Sequence, residues 1–263
     1  RLVGVGDDRC LNCGRRNPGM WGFTSLVGRL GRDMGFVQAA IGGCSLLYLM
    51  MLVVDPSAIG RGGIFGFLGP SNESLLRFGA SGAIPVFGFN RWWTLLSAGW
   101  LHAGLLHIGF NLMWIRQLAP DTAELYGPGR MVIIYTVSSV AGFLLSSVMG
   151  LLLHPQITVG ASAPIFGLLG ALVLYGRRAG SRSIGSQAWS YASFMFVFGF
   201  FFPGIDNWAH LGGFAGGYLT ARLLDPMKPE RGDHLSVAIV CLVLTALAVV
   251  ASLVVPVPLP PGR

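Results

Sequence analysis

A chain of 263 residues that is 53% hydrophobic and only 11% charged, with a mean hydropathy of +0.64, is not an ordinary soluble domain, since those carry about 25% charge. Its formal charge of +7 comes almost wholly from arginines in the loops between apolar runs, with no basic patch interleaved with exposed aromatics, which excludes nucleic acid as the partner. What remains is an all-α fold, a polytopic bundle of membrane helices in a lipid bilayer.

Residues 1–33 form a polar, cytosol-like head without the early apolar stretch of a secretory leader. It carries Cys10 and Cys13, a C-x-x-C followed by Gly14-Arg15-Arg16. That spacing reads as one knuckle of a zinc ribbon, so zinc is the cofactor expected in the head. A complete site needs a second pair, which would have to precede Arg1; a redox pair and a chance spacing are the other readings. Cys44 and Cys241 fall inside apolar runs and read as small hydrophobes.

The first apolar run covers about 36–54 and stops at Asp55-Pro56. Residues 55–92 follow, rich in glycine but also carrying Ile64, Phe65, Phe67, Leu68, Phe87 and Phe89. That mixture predicts a structured loop lying against the bilayer, and Trp92, Trp93 and Trp100 suit a membrane interface. Further spans are predicted at about 101–119, 131–153, 162–175, 188–202 and 207–224, with a seventh at 235–255. The breakers between them are Pro120–Arg130, His154-Pro155-Gln156, the arginine loop 176–187, Pro203-Gly204 and the polar stretch 225–234. The domain reading is a head (1–33), a six-helix core (34–224) with the embedded loop 55–92, and a linker, seventh helix and Pro-rich tail (225–263).

Lysine and arginine orient the spans. With the N-terminus in the cytoplasm, the inner segments hold 14 of the 18 basic residues, and only Arg61, Arg77, Arg91 and Arg263 lie outside. The C-terminus is then outside, and the expected location is a bacterial plasma membrane. This orientation starts both the fourth and the sixth span from the outer side, so Ser162 and His210 sit at similar depth.

Polar groups within the bilayer are expensive and mark function. Ser162 lies at a helix N-terminus, where unpaired backbone N–H groups and the helix dipole favour negative charge. It reads either as a nucleophile beside an oxyanion site or simply as an N-cap. His210 precedes the small residues Gly213, Gly216 and Gly217, and the fourth span presents Gly167, Gly170 and Ala171. Small faces let membrane helices approach closely, which would bring Ser162 and His210 within reach. Otherwise the glycines serve packing alone and His210 lines a water pocket. His107 and Asn111 share one helix face by their i, i+4 spacing and are candidate oxyanion donors, with interhelical hydrogen bonding as the other reading. His102 is off that face and is expected near the interface. No span holds an acidic residue near these groups, which points to a Ser–His dyad. An H-E-x-x-H metalloprotease motif and a pair of intramembrane aspartates are both missing from the sequence.

Three pieces then stand in order: Trp100-Leu101-His102-x4-His107-Ile108-Gly109-Phe110-Asn111, Gly160-Ala161-Ser162-Ala163, and Ala209-His210-x-x-Gly213-x-x-x-Gly217. With them the chain resembles the rhomboids, a family of intramembrane serine proteases, over about 36–224. The resemblance implies that Ser162 is the nucleophile and His210 the base and then the acid. It implies an oxyanion site of His107, Asn111 and the Ser162 N–H, and no cofactor for catalysis. Substrates would be single-span membrane proteins cut near the outer face. Loop 55–92 would be the family's half-embedded first loop, the seventh span the added helix of its six-plus-one form, and 199–206 part of the cap and gate where substrate enters. The chain departs from the pattern in two places. Trp93-Thr94 stands where many members have Trp-Arg, with Arg91 just before it, and Ala163-Pro164 follows the serine. A proline in the first helical turn is tolerated. A catalytically silent rhomboid-like protein that binds membrane helices is the alternative function. A small transporter is a third, without a repeat or a charged pathway to favour it.

Overall fold

The computed structural model describes residues 33–56, 67–202 and 204–258, together with Arg9, Cys13 and Gly14. Cys10 of the predicted zinc half-site lies outside the described residues, and Cys13 is exposed. Among the described residues no group of three or more His, Cys, Asp or Glu side chains is placed to hold a metal. Ile64 and Phe65 of the first loop, and Pro203, also lie outside them.

The described chain is almost wholly helical. Its α-helices are α1 (Phe36–Val54), α2 (Asn72–Phe78), α3 (Thr94–Ser97), α4 (Leu105–Tyr126), α5 (Pro128–Leu152), α6 (Ser162–Arg178), α7 (Arg182–Phe201), α8 (Asn207–Leu223) and α9 (Gly232–Val254). Three of these, α1, α5 and α9, are long and apolar enough to cross a membrane by length and composition. The only sheet among the described residues pairs β1 (Ser81–Gly82) antiparallel with β2 (Ile157–Thr158), Ser81 opposite Thr158 and Gly82 opposite Ile157.

Helix α6 is the centre of the bundle. It is apolar around its whole circumference, as a fully enclosed helix must be, and every residue from Ala163 to Leu174 is buried. It packs on α5, α7, α8 and α4. The closest approach is to α8: a Cβ added to Gly213 would meet the Ala163 carbonyl carbon at 2.8 Å, and one added to Gly217 would run into the backbone of Gly167. These contacts are available only without side chains, so the expected small faces do meet. Tyr126 at the far end of α4 locks to α6 through its hydroxyl, which donates to the Ala171 carbonyl at 2.8 Å. Helix α7 is held more lightly. Only Ala188, Ala192 and Gly199 are buried along it, while Phe194, Val197, Phe200 and Phe201 face outward.

Helix α9 lies on α5 and on α3, just after the first loop, burying a narrow line of small residues: Ala238, Thr245, Ala248 and Ser252. A buried arginine fastens it at its start. Arg130, at the beginning of α5, donates to the carbonyls of Asp225 and Lys228 at 2.9 Å, of Pro229 at 2.6 Å, and to His234 Nδ1 at 3.0 Å.

Three expectations from the sequence need correction. The arginine loop 176–187 shrinks to 179–181, because α6 runs to Arg178 and α7 begins at Arg182. The stretch 120–130 is not a loop: α4 continues through Pro120 to Tyr126, and only Gly127 separates it from α5. Proline removes one helical hydrogen bond, but a helix tolerates that where neighbouring groups or water satisfy the freed carbonyl. The second helix also begins later than expected, at Leu105. Residues 101–104 form no helix, and Gly104 is its extended N-cap.

Candidate active site

The antiparallel course of the bundle brings the N-termini of α6 and α8 to the same end. Ser162 is the first residue of α6, but it does not cap it. The N-cap position belongs to Ala161, whose side chain makes no cap bond. The N-cap reading of Ser162 therefore fails, and its hydroxyl is free for another partner. That partner is His210: Ser162 Oγ and His210 Nε2 lie 3.0 Å apart.

Three features set the imidazole in place. His210 is 5% exposed, the Phe166 ring stacks on it at 4.2 Å between centroids with 14° between planes, and its helix is capped one turn earlier. The cap is Asp206, whose Oδ1 accepts the N–H groups of Trp208 and Ala209, both at 3.0 Å. Its other oxygen accepts the hydroxyl of Ser146 on α5. Asp206 thus orients the helix carrying His210 and is engaged away from the imidazole. His210 Nδ1 is buried without a hydrogen-bond partner among the described residues. For Nε2 to accept the serine proton, the proton of the neutral ring must reside on Nδ1.

His107 reaches the same place from α4. Its Nδ1 accepts the N–H of Ala103 at 3.3 Å, which leaves the proton of the neutral ring on Nε2. Nε2 faces the segment before the serine, where a Cβ on Gly160 would meet it at 2.5 Å. Gly160 has φ +123°, a conformation that also favours glycine. A donor is thus aimed at the backbone beside Ser162. Asn111 is buried on the same face, as its spacing predicts, but its amide donates to the His107 carbonyl at 2.7 Å within its own helix. No hydrogen bond ties it to Ser162 or His210 in this state.

The segment Ile157–Gly160 is fixed from outside the two helices. β1 pairs with it, and the Gly160 N–H donates to the Ala98 carbonyl at 3.0 Å. His102, expected off the face of His107, is fully buried with its ring edge-on to His107 at 5.1 Å. Its place in the non-helical stretch 101–104 folds it back under α4, and a helical reading of that stretch hides this. A cavity of about 210 Å³ lined by Gln117, Asp121, Glu124, Gln187 and Tyr191 lies at the other ends of α4, α6 and α7 and shares no residue with this site.

The model of the Rhomboid domain matches residues 90–226. The chain belongs to the rhomboid family. It is 33% identical over 182 residues to rhomboid protease GluP of Bacillus subtilis (strain 168), covering 68% of this chain and 34% of that protein. RHOMBOID-like protein 6, mitochondrial, of Arabidopsis thaliana is 33% identical over 171 residues, 63% of this chain and 54% of its own length. RHOMBOID-like protein 7 of the same plant is 33% identical over 162 residues, 60% and 50% respectively. The chain spans between about a third and about half of the length of these relatives. The family and the apolar helices make it an integral membrane protein, and the rhomboid match contains every candidate site residue from His102 to His210.

Proposed function

We propose that this rhomboid is an intramembrane serine endopeptidase working through a Ser162–His210 dyad. The observation that carries the reading is the 3.0 Å contact between Ser162 Oγ and His210 Nε2 across two helices that meet backbone to backbone. Ser162 Oγ attacks the scissile carbonyl carbon as its proton passes to His210 Nε2. The carbonyl oxygen becomes an oxyanion, stabilised by the N–H of Ser162 at the start of α6 and by the Nε2–H of His107. His210 then gives its proton to the leaving amine nitrogen as the C–N bond breaks, leaving an acyl-serine that water hydrolyses by the same path in reverse. Asn111 joins the oxyanion site only if its amide turns away from the His107 carbonyl.

The charge count supports a cytoplasmic N-terminus and a site near the outer face. A single transmembrane helix with a locally unwound segment is the substrate that could present a peptide bond there. The lightly packed α7, with its outward phenylalanines, forms the side on which such a substrate would enter, and the cap and gate expected at 199–206 would belong to it. In this reading the six-helix core is 34–224, and the seventh helix follows the linker.

The test is cleavage of a model single-span protein in liposomes, with fluorophosphonate labelling of the serine. Wild type should cleave and label, while Ser162→Ala and His210→Ala should lose both, remain folded, and cut at least about 10⁴-fold more slowly. A folded Ser162→Ala protein that cleaves at the wild-type rate would sink the mechanism. A wild type that binds membrane helices but never labels would favour the silent binder.

A further inference from the structure

We infer that Arg91 is a positioning residue for the nucleophile, tying the outer end of α9 to the first loop and, through it, to the strand that holds Gly160–Ser162. The functional half of this inference rests on the proteolytic reading above; the physical half does not.

Arg91 is among the largest side chains fully buried in the molecule, at 1% exposure. The other described arginine that the charge count places outside, Arg77, is exposed and paired with Glu73 on its own helix. The guanidinium of Arg91 donates to three backbone carbonyls: Leu76 in α2 at 2.7 Å, Ser252 in the last turn of α9 at 2.9 Å, and Val255 just after it at 3.4 Å. Carbonyls at a helix C-terminus lack intrahelical donors, and a cation there also meets the negative end of the dipole. Arg91 therefore closes the end of α9 with a side chain from another element 161 residues away. Trp93 reinforces the joint. Its ring lies under the Arg91 guanidinium at 5.5 Å, and its indole N–H donates to Ser252 Oγ at 3.1 Å.

From this joint a run of short contacts leads to the site. The Ser97 hydroxyl donates to the Gly79 carbonyl at 2.9 Å, with Ser252 Oγ 3.4 Å away. The Thr94 hydroxyl donates to the Arg91 carbonyl at 2.7 Å and lies 3.4 Å from Ser81 Oγ. Ser81 is the first residue of β1 and pairs with Thr158. Ala98, directly after α3, accepts the N–H of Gly160. Two residues further on stands Ser162. The end of the first loop and α3 are thus clamped between the end of α9 on one side and the approach to the nucleophile on the other. The seventh helix serves as a buttress for the site, and Arg91, on the loop just before Trp93-Thr94, is the residue that joins them.

The test uses Arg91→Gln in the full chain, because a glutamine loses the charge and the fork that spans two carbonyl groups. Two measurements are made in parallel, amide hydrogen exchange over 79–83 and 156–161, and the rate of Ser162 labelling by a fluorophosphonate together with kcat and KM. Exchange across 156–161 should rise severalfold, and labelling and kcat should fall together by about tenfold with KM unchanged, as for a misplaced catalytic group. Ser252→Ala removes only the hydroxyl that Trp93 and Ser97 touch, so it should move every readout the same way by less, and it stands in if Arg91→Gln does not fold. A folded Arg91→Gln protein with wild-type exchange over 156–161, or with faster exchange only near 72–78 and 250–258, overturns the coupling. Wild-type labelling despite faster exchange overturns its catalytic consequence. If wild type neither labels nor cleaves, the proteolytic reading fails, and the exchange measurement alone decides the coupling.

Discussion

Gly213→Ala tests whether the close contact of α6 and α8 is what makes the serine–histidine pair. Gly213 lies one turn after His210, and the new methyl would sit 2.8 Å from the carbonyl carbon of Ala163 and 3.1 Å from its Cα, against the residue that follows Ser162. The Ala163 carbonyl oxygen lies nearer still; carbon atoms in contact stand about 3.5 Å apart or more, so the backbones must separate by at least about 0.7 Å. Opening the joint by that amount carries the Ser162–His210 distance from 3.0 Å past the range of a hydrogen bond. Overpacking of this kind costs about 1–3 kcal/mol of stability, and a displacement near 1 Å at a reacting group costs on the order of 100-fold in rate. The assay is kcat and KM on a single-span substrate in liposomes, with thermal unfolding in detergent recorded on the same preparations. Gly109→Ala is the matched control. Gly109 is also in a helix, but nothing lies within 4 Å of a Cβ added there, so this variant should cleave as wild type does. A Gly213→Ala protein that is folded and retains wild-type kcat would refute the claim that helix contact sets the pair.

Removing the cap of α8 should act in the same direction more weakly. Asp206→Ala leaves two N–H groups of the first turn unpaired and frees Ser146, which should lower stability by about 1 kcal/mol and reduce kcat severalfold. Asp206→Asn, which still caps, should restore most of both, and equal losses in the two variants would argue against capping as the cause. At the other end of the molecule, Arg130→Ala removes the donors to four groups of the α8–α9 linker and the start of α9. Hydrogen bonds from a charged group contribute about 1.5–3 kcal/mol each when made, so the melting temperature should fall clearly and the linker 225–231 should become open to soluble protease. A variant with wild-type melting and protease resistance would show that the linker is held by other contacts.

Much of this architecture was readable because membrane helices announce themselves by length and hydropathy, and small-residue spacing announces where they touch. Ser162, His210 and His107 could be picked out since polar side chains are so rare on apolar runs. The errors came where one residue type has two uses. Pro120 breaks helices in water, yet here it sits inside α4 near its polar end. At Ser162 both uses stood open, and the backbone places Ala161 at the N-cap and leaves the hydroxyl to His210. His102 was hidden by reading 101–104 as helix, although Gly104 bends that stretch and buries the ring beside His107. Arg91 could be noticed beside Trp93-Thr94, but its partners are backbone carbonyls from α2 and α9. Carbonyls are common to every residue, so no sequence pattern marks them.

Among the described residues no carboxylate is hydrogen-bonded to His210, and this has a physical counterpart in how its ring is held. In a soluble triad an aspartate fixes the tautomer and stabilises the imidazolium. Within a membrane bundle a buried carboxylate is costly to desolvate even when hydrogen-bonded, and the acidic group nearest in sequence, Asp206, is used up by the helix cap and Ser146. Orientation is supplied instead by packing: a phenylalanine stacked on one face of the imidazole and a helix pressed against α6 without intervening side chains. Such a site depends on rigid surroundings rather than on charge. The residues that hold its scaffold, Asp206 at the cap of α8 and Arg91 between α9 and the first loop, should therefore affect rate more than their distance from the scissile bond would suggest.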